Sequence, residues 1–187
     1  MYKLIFILLI SIHVGLRSQT NMDYLPKLLS SELNKANGYP AVLLERTTEK
    51  IKSAVNGKFF ELSNFQLNSN VKYLYVGRVK SCRAGGCSIN NNATQGYDSE
   101  YFDYFILYNK NGAVELVRVY NYQATHGQEV TIKSWLKQFK NYDGSTALTV
   151  GKNVDAISGA TISVNGLTAD IEHKTAILKQ TIVSTPF

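Results

Sequence analysis

Two apolar, aromatic runs, Tyr101 to Tyr108 and Ala113 to Tyr122, flank the tetrapeptide Asn109-Lys110-Asn111-Gly112, and this pattern constrains the fold more than any other. Tyr, Phe, Val and Ile suit a pleated, packed surface. An Asn-Gly step between two such runs supplies the backbone conformations that a tight hairpin turn needs. The spacing therefore predicts two adjacent antiparallel strands. From Lys58 onward the apolar period is no longer helical, and Val71 to Val79 has the same aromatic and β-branched character, which predicts a further strand. A polar loop from Lys80 to Asp98 separates it from the hairpin.

Helical spacing brackets these strands. Leu25, Leu28, Leu29 and Leu33 share one face of a helix expected from Asn21 to Asn37. Val42, Leu43, Leu44 and Ile51, with Lys and Glu between them, predict a second helix up to Asn56-Gly57. After the hairpin, Ile132, Trp135, Leu136 and Phe139 line one face of a helix expected from Glu129 to Asn141. Val164, Leu167, Ile171, Leu178 and Ile182 describe the buried face of a last one. The expected fold is α+β: a single domain whose antiparallel sheet, with the hairpin at its centre, is packed by helices and ends in a C-terminal helix. Expected boundaries are a leader over residues 1–18, an N-terminal helical segment over 19–57 and the main domain over 58–187.

The leader is expected from Lys3, the apolar run Leu4 to Leu16 and the return to polar chain at Arg17-Ser18, the arrangement of a secretory signal. The run is short for a membrane span, which needs about 20 residues. A retained membrane anchor is the alternative; without one, a soluble chain or one in peripheral membrane association is expected. The chain has 20 basic and 14 acidic residues; the leader removes Lys3 and Arg17, leaving 18 basic residues and a formal charge of +4. The basic residues form no run, which argues against nucleic acid as a partner. The expected location is outside the cytoplasm, in the periplasm or on the outer surface of a bacterial cell.

Before the last helix comes Asp155-Ala156-Ile157-Ser158-Gly159-Ala160-Thr161-Ile162-Ser163. A helix N-terminus offers unpaired N–H groups and the positive end of a dipole, which together favour an anion such as phosphate. Gly159 and Ala160 let backbone amides approach it closely, and Gly159 reaches backbone angles closed to other residues. The Thr161 hydroxyl is either a hydrogen-bond partner for that phosphate or an acceptor for phosphoryl transfer. The plain alternative is a Ser/Gly turn followed by a helix capped by Thr161 or Ser163. That alternative uses neither Asp155 nor the Gly-Ala pair.

At these residues the chain resembles the FMN-binding domain family, the flavoprotein subunits of the Rnf and sodium-pumping NADH:quinone reductase complexes. The family pattern Asp-x-x-Ser/Thr-Gly-Ala-Thr is filled here by Asp155, Ser158, Gly159, Ala160 and Thr161. The resemblance implies FMN joined to Thr161 by a phosphoester, a flavin transferase using FAD as the partner that installs it, and a role in electron transfer. It extends in element order over roughly Val71 to Ile182. One departure is the loop after the hairpin, where the family's Glu-Thr-Pro-Gly is replaced by Ala124-Thr125-His126-Gly127. Thr125 and Gly127 match, so the resemblance implies backbone contact with a flavin there, with His126 as a further hydrogen-bonding candidate, while no role of the family's glutamate carries over.

Cys82 and Cys87, in Cys82-Arg83-Ala84-Gly85-Gly86-Cys87, are expected to pair as a disulfide in an exported chain. That bond is either a staple on a loop or, with Arg83 favouring thiolate, a reducible pair near a flavin. Two cysteines with no histidine near them do not make a zinc site, so no metal is expected. Asn92-Ala93-Thr94 matches a glycosylation acceptor, and His173 on the last helix is expected at the surface. No catalytic triad or acid/base pair stands out, which favours an electron carrier over an enzyme with its own substrate; the redox partners are not identified by the sequence. The alternative is a secreted binding or structural module that keeps the fold without the flavin.

Overall fold

The computed structural model describes residues 21–37, 40–63, 69–81 and 100–184. The leader, the Cys82 and Cys87 pair and the Asn92 acceptor lie outside the described residues. Helix α1 (Lys27–Asn37) is followed by strand β1 (Leu43–Glu45), a single helical turn α2 (Glu49–Lys52) and strand β2 (Gly57–Leu62). Then come β3 (Tyr73–Lys80), β4 (Tyr101–Tyr108), β5 (Val114–Tyr122), the short α3 (Lys133–Leu136) and the long α4 (Thr161–Ser184). The strands form one antiparallel sheet in the order β1-β2-β3-β4-β5. The expected α+β architecture is what the chain adopts, but the β4–β5 hairpin forms one edge of the sheet rather than its centre, because β5 has no strand beyond it among the described residues.

The β4–β5 hairpin closes where the Asn-Gly signal placed it. Gly112 sits at φ +74°, and the Asn109 side chain accepts from the amides of Asn111 and Ala113 at 2.9 and 3.0 Å. Val114 extends the edge of the sheet by exchanging backbone bonds with Asn141 and Tyr142.

Both faces of the sheet are covered, which is why its strands read as continuous apolar runs. On one face Tyr73, Tyr75, Tyr104, Ile106 and Tyr108 pack under Val164, Leu167, Ile171 and Leu178 of α4. On the other, Leu74, Val76, Phe105 and Leu107 meet Leu29 and Leu33 of α1. Gly57 and Gly77 are register partners, and a Cβ on either would stand within 2.6 Å of the Tyr75 hydroxyl, so two missing side chains make the slot that Tyr75 fills.

Three helical expectations are corrected. The first helix begins at Lys27 rather than Asn21, because the Asp23 carboxylate accepts from the Leu25 amide in a local turn and Pro26 follows; Leu25 stays exposed. The helix expected over Val42 to Gly57 is instead strand β1 plus the one turn of α2, since Leu43 to Glu45 pair with Leu62 to Phe60. The sheet therefore begins inside the segment expected as an N-terminal helical appendage. Glu129 to Asn141 is a 3₁₀ turn (Gln128–Thr131), α3 and a second 3₁₀ turn (Lys137–Phe139), interrupted where Ile132 adopts extended angles of −66° and 122°.

Candidate functional site

Helix α4 begins with Thr161, whose side chain is exposed. The preceding loop closes on itself, with Ala160 N–H donating to the Ile157 carbonyl at 3.1 Å, around a turn centred on Ser158 and Gly159. Gly159 has φ +79°, and nothing lies within 4 Å of the place a Cβ would take. Glycine is needed here for its backbone angle, and the space beside it is open. The first α4 bond runs from Val164 N–H to the Ala160 carbonyl at 2.9 Å, which puts buried Ala160 at the N-cap. Alanine has no acceptor to offer, so the amides of Thr161, Ile162 and Ser163, which precede that first bond, receive no side-chain cap from it. The plain alternative of a Thr161 or Ser163 cap fails, since both residues lie inside the helix.

The loop is pinned through its backbone. The Trp135 indole N–H donates to the Asp155 carbonyl at 2.9 Å, and the Asp155 N–H donates to Gln138 Oε1 at 2.7 Å. Trp135 is itself fixed edge-on against Phe139, with ring centroids 5.3 Å apart. The interrupted helical stretch after the hairpin thus positions the motif, while the Asp155 and Ser158 side chains remain at the surface.

A chain of hydroxyls ties the first turn of α4 to the sheet. Tyr122 Oη donates to the His126 carbonyl, Ser163 Oγ lies 3.1 Å from Tyr122 Oη, and Ser81 Oγ lies 3.1 Å from Ser163 Oγ. Each hydroxyl carries one proton. Tyr122 has committed its own to a carbonyl, so Ser163 donates to Tyr122 and Ser81 donates to Ser163, and the whole chain points toward the loop after β5. Tyr122 stacks on Phe102 at 5.5 Å, and burial pushes its hydroxyl pKa upward.

That loop is the one containing Thr125, His126 and Gly127. Gly127 sits at φ +86°, and a Cβ there would lie 2.7 Å from Ser163 Oγ and 3.1 Å from Tyr122 Oη. Thr125 donates from its N–H and its hydroxyl to the two oxygens of buried Glu100, at 3.2 and 2.9 Å. The structure therefore brings Gly127 onto the first turn of α4, two residues from Thr161. It uses the His126 backbone and leaves the imidazole exposed. His173 is at the surface as expected.

Glu100, Ser81, Tyr122, Ser163, Trp135 and Gln138 are site residues that sequence reasoning missed. Ser163 stood within the quoted motif and Tyr122 at the end of the hairpin. Glu100 and Ser81 carry no sequence signal, because only the β3–β4 pairing brings them to this end of the sheet. Among the described residues no group of three His, Cys, Asp or Glu side chains is placed to hold a metal, and no helix is long and apolar enough to cross a membrane.

These features define a domain in which, among the described residues, no side chain caps the N-terminus of α4, beside an exposed hydroxyl and open space. Residues 96–173, from just before β4 into the second half of α4, match the FMN-binding domain family model. The resemblance drawn from Asp155 to Thr161 stands on that match. No curated protein matches the chain. The residues present fit FMN in their chemistry: Thr161 would offer a hydroxyl, the amides of the first α4 turn would meet a phosphate, and the space beside Gly159 is open.

Proposed function

We propose that this protein is an exported flavoprotein that carries FMN on Thr161 through a phosphoester and works as an electron carrier. The observation that carries the reading is the exposed Thr161 hydroxyl at the start of a 24-residue helix whose N-cap is alanine. A phosphate there would satisfy amides that, among the described residues, no capping side chain reaches. FMN, when bound, supplies one- and two-electron transfer, and the protein supplies position and electrostatics. In the loading step a flavin transferase presents FAD. Thr161 Oγ forms the new bond to the FMN-side phosphorus, the pyrophosphate bond breaks, and AMP leaves with the hydroxyl proton. A covalent tether suits an exported chain, which has no assured supply of free flavin, and the Leu4 to Leu16 run supports export.

The test is the intact mass of the denatured protein after export beside an active flavin transferase. We expect one FMN less water in added mass, with yellow colour that survives unfolding. Thr161→Val keeps the side-chain shape without the hydroxyl and removes both signals while the domain stays folded. An unmodified wild-type mass overturns this reading in favour of the flavin-free module, which would then explain the altered Ala124 to Gly127 loop.

A further inference from the structure

We propose that Glu100 is a positioning residue for this site, holding the Thr125 to Gly127 loop against the first turn of α4; its role toward the cofactor rests on the flavin reading above. The loop has no acid of its own. Its carboxylate comes from the residue just before β4, and that carboxylate is buried, with only 8% of the residue exposed. A buried carboxylate must be met by donors, because an uncompensated charge away from water is costly. Glu100 is met by the Thr125 N–H and hydroxyl together, one to each oxygen. Its own backbone is fixed too, since its carbonyl accepts from Ser81 N–H at 2.7 Å.

Two structures therefore grip the same loop. The Glu100 carboxylate holds it at Thr125, and the Tyr122 hydroxyl holds it at the His126 carbonyl. Gly127 then fits against Ser163 with no room for a side chain. Because Ser81 both bonds the Glu100 carbonyl and begins the hydroxyl chain to Ser163, the two grips share one anchor at the end of β3. Charge-assisted bonds are the stronger kind, so the carboxylate is the firmer hold on the loop. Glu100 also places a negative charge at the end of the sheet where Thr161 begins its helix, a charge that disfavours adding electrons nearby.

The first arm of the test needs no flavin. In the Thr161→Val protein, amide hydrogen exchange at Thr125 is compared among Glu100, Glu100→Gln and Glu100→Ala. Loss of a hydrogen bond to a charged acceptor is expected to speed exchange on the order of tenfold or more in Glu100→Ala. Glu100→Gln, which keeps one acceptor oxygen, is expected to recover part of the protection, and amides of the β4–β5 ladder such as Val117 should not change. Thr125→Val combined with Glu100→Ala should cost no more global stability than the single changes predict for one shared interaction. The second arm uses the FMN-loaded wild-type acceptor. Glu100→Gln raises the flavin midpoint potential while the loop stays ordered, a response that a packing role alone does not produce. Wild-type exchange at Thr125 in Glu100→Ala overturns the positioning role. An unchanged potential in a loaded Glu100→Gln protein overturns the electrostatic role, and a chain that takes no FMN overturns the flavin reading while leaving the first arm intact.

Discussion

Gly127 and Gly159 look alike in the sequence, both in polar loops and both in family-type patterns. Both take the left-handed backbone, at φ +86° and +79°. They differ in what surrounds them. A Cβ at Gly159 meets nothing within 4 Å, so Gly159→Ala carries only the backbone strain, about 1 kcal/mol. At Gly127 the same strain is joined by a clash with Ser163 Oγ, an atom that two hydrogen bonds hold in place. Overpacking of that kind adds roughly 1–3 kcal/mol. Urea denaturation at neutral pH should therefore place Gly127→Ala clearly below Gly159→Ala in stability. If the two variants unfold at the same midpoint, the packing of the loop on α4 is wrong.

At the scale of elements, α4 is held to the sheet by more than its apolar face. Asp170 accepts from the Tyr104 hydroxyl and pairs with Lys174 Nζ at 2.8 Å, with the Lys174 side chain only 4% exposed. Asp170→Asn leaves a buried ammonium without its counter-charge, and breaking such a pair costs about 3–5 kcal/mol. The unfolding free energy from urea denaturation should fall by that amount, seen as a lower midpoint with an unchanged slope. Replacing both partners, as Asp170→Asn with Lys174→Met, should recover much of the loss, because no charge is then stranded. The apolar spacing of α4 was legible in the sequence, but its polar anchor was not, because Tyr104 and Asp170 meet only after the sheet has formed. The same limit explains the corrected elements. Leu43 and Leu44 have the composition of either a helix or a strand, and pairing with β2 decides for strand. Ile132 fits a helical stripe from Glu129 to Asn141, yet its extended backbone turns the stripe into three short pieces. The hairpin was legible because an Asn-Gly turn is local chemistry. The Thr161 motif was legible for the same reason, whereas the Glu100 and Ser81 side of the site depends on strands adjacent in space.

The whole molecule is a sheet between two apolar layers, and the layer under α4 is rich in tyrosine. Tyr75, Tyr104 and Tyr108 are fully buried there, and burial, before any neighbouring charge, raises the pKa of each well above the ordinary value of 10.0. A group whose folded pKa is raised contributes stability that is complete below its unfolded pKa and is lost as pH climbs past it. Above about pH 10 the unfolded chain releases protons that the folded chain retains, so unfolding becomes easier. Each tyrosine contributes a slope of about 1.4 kcal/mol per pH unit, and three together about 4. Stability from urea titrations should hold up to about pH 10 with respect to these groups and then fall steeply. Tyr75→Phe separates this effect from packing. The Tyr75 hydroxyl has no hydrogen-bond partner among the described residues, so removing it relieves an unmet buried group and should leave stability at pH 7 unchanged or raised by about 1 kcal/mol. The same variant should lose stability above pH 10 with a slope shallower by about 1.4 kcal/mol per pH unit. Tyr104→Phe should flatten the slope equally but lower stability at pH 7, because it takes the hydroxyl from Asp170. A Tyr75→Phe protein that falls as steeply as the wild type above pH 10 would mean that Tyr75 ionises within the fold, against its burial in the slot between Gly57 and Gly77.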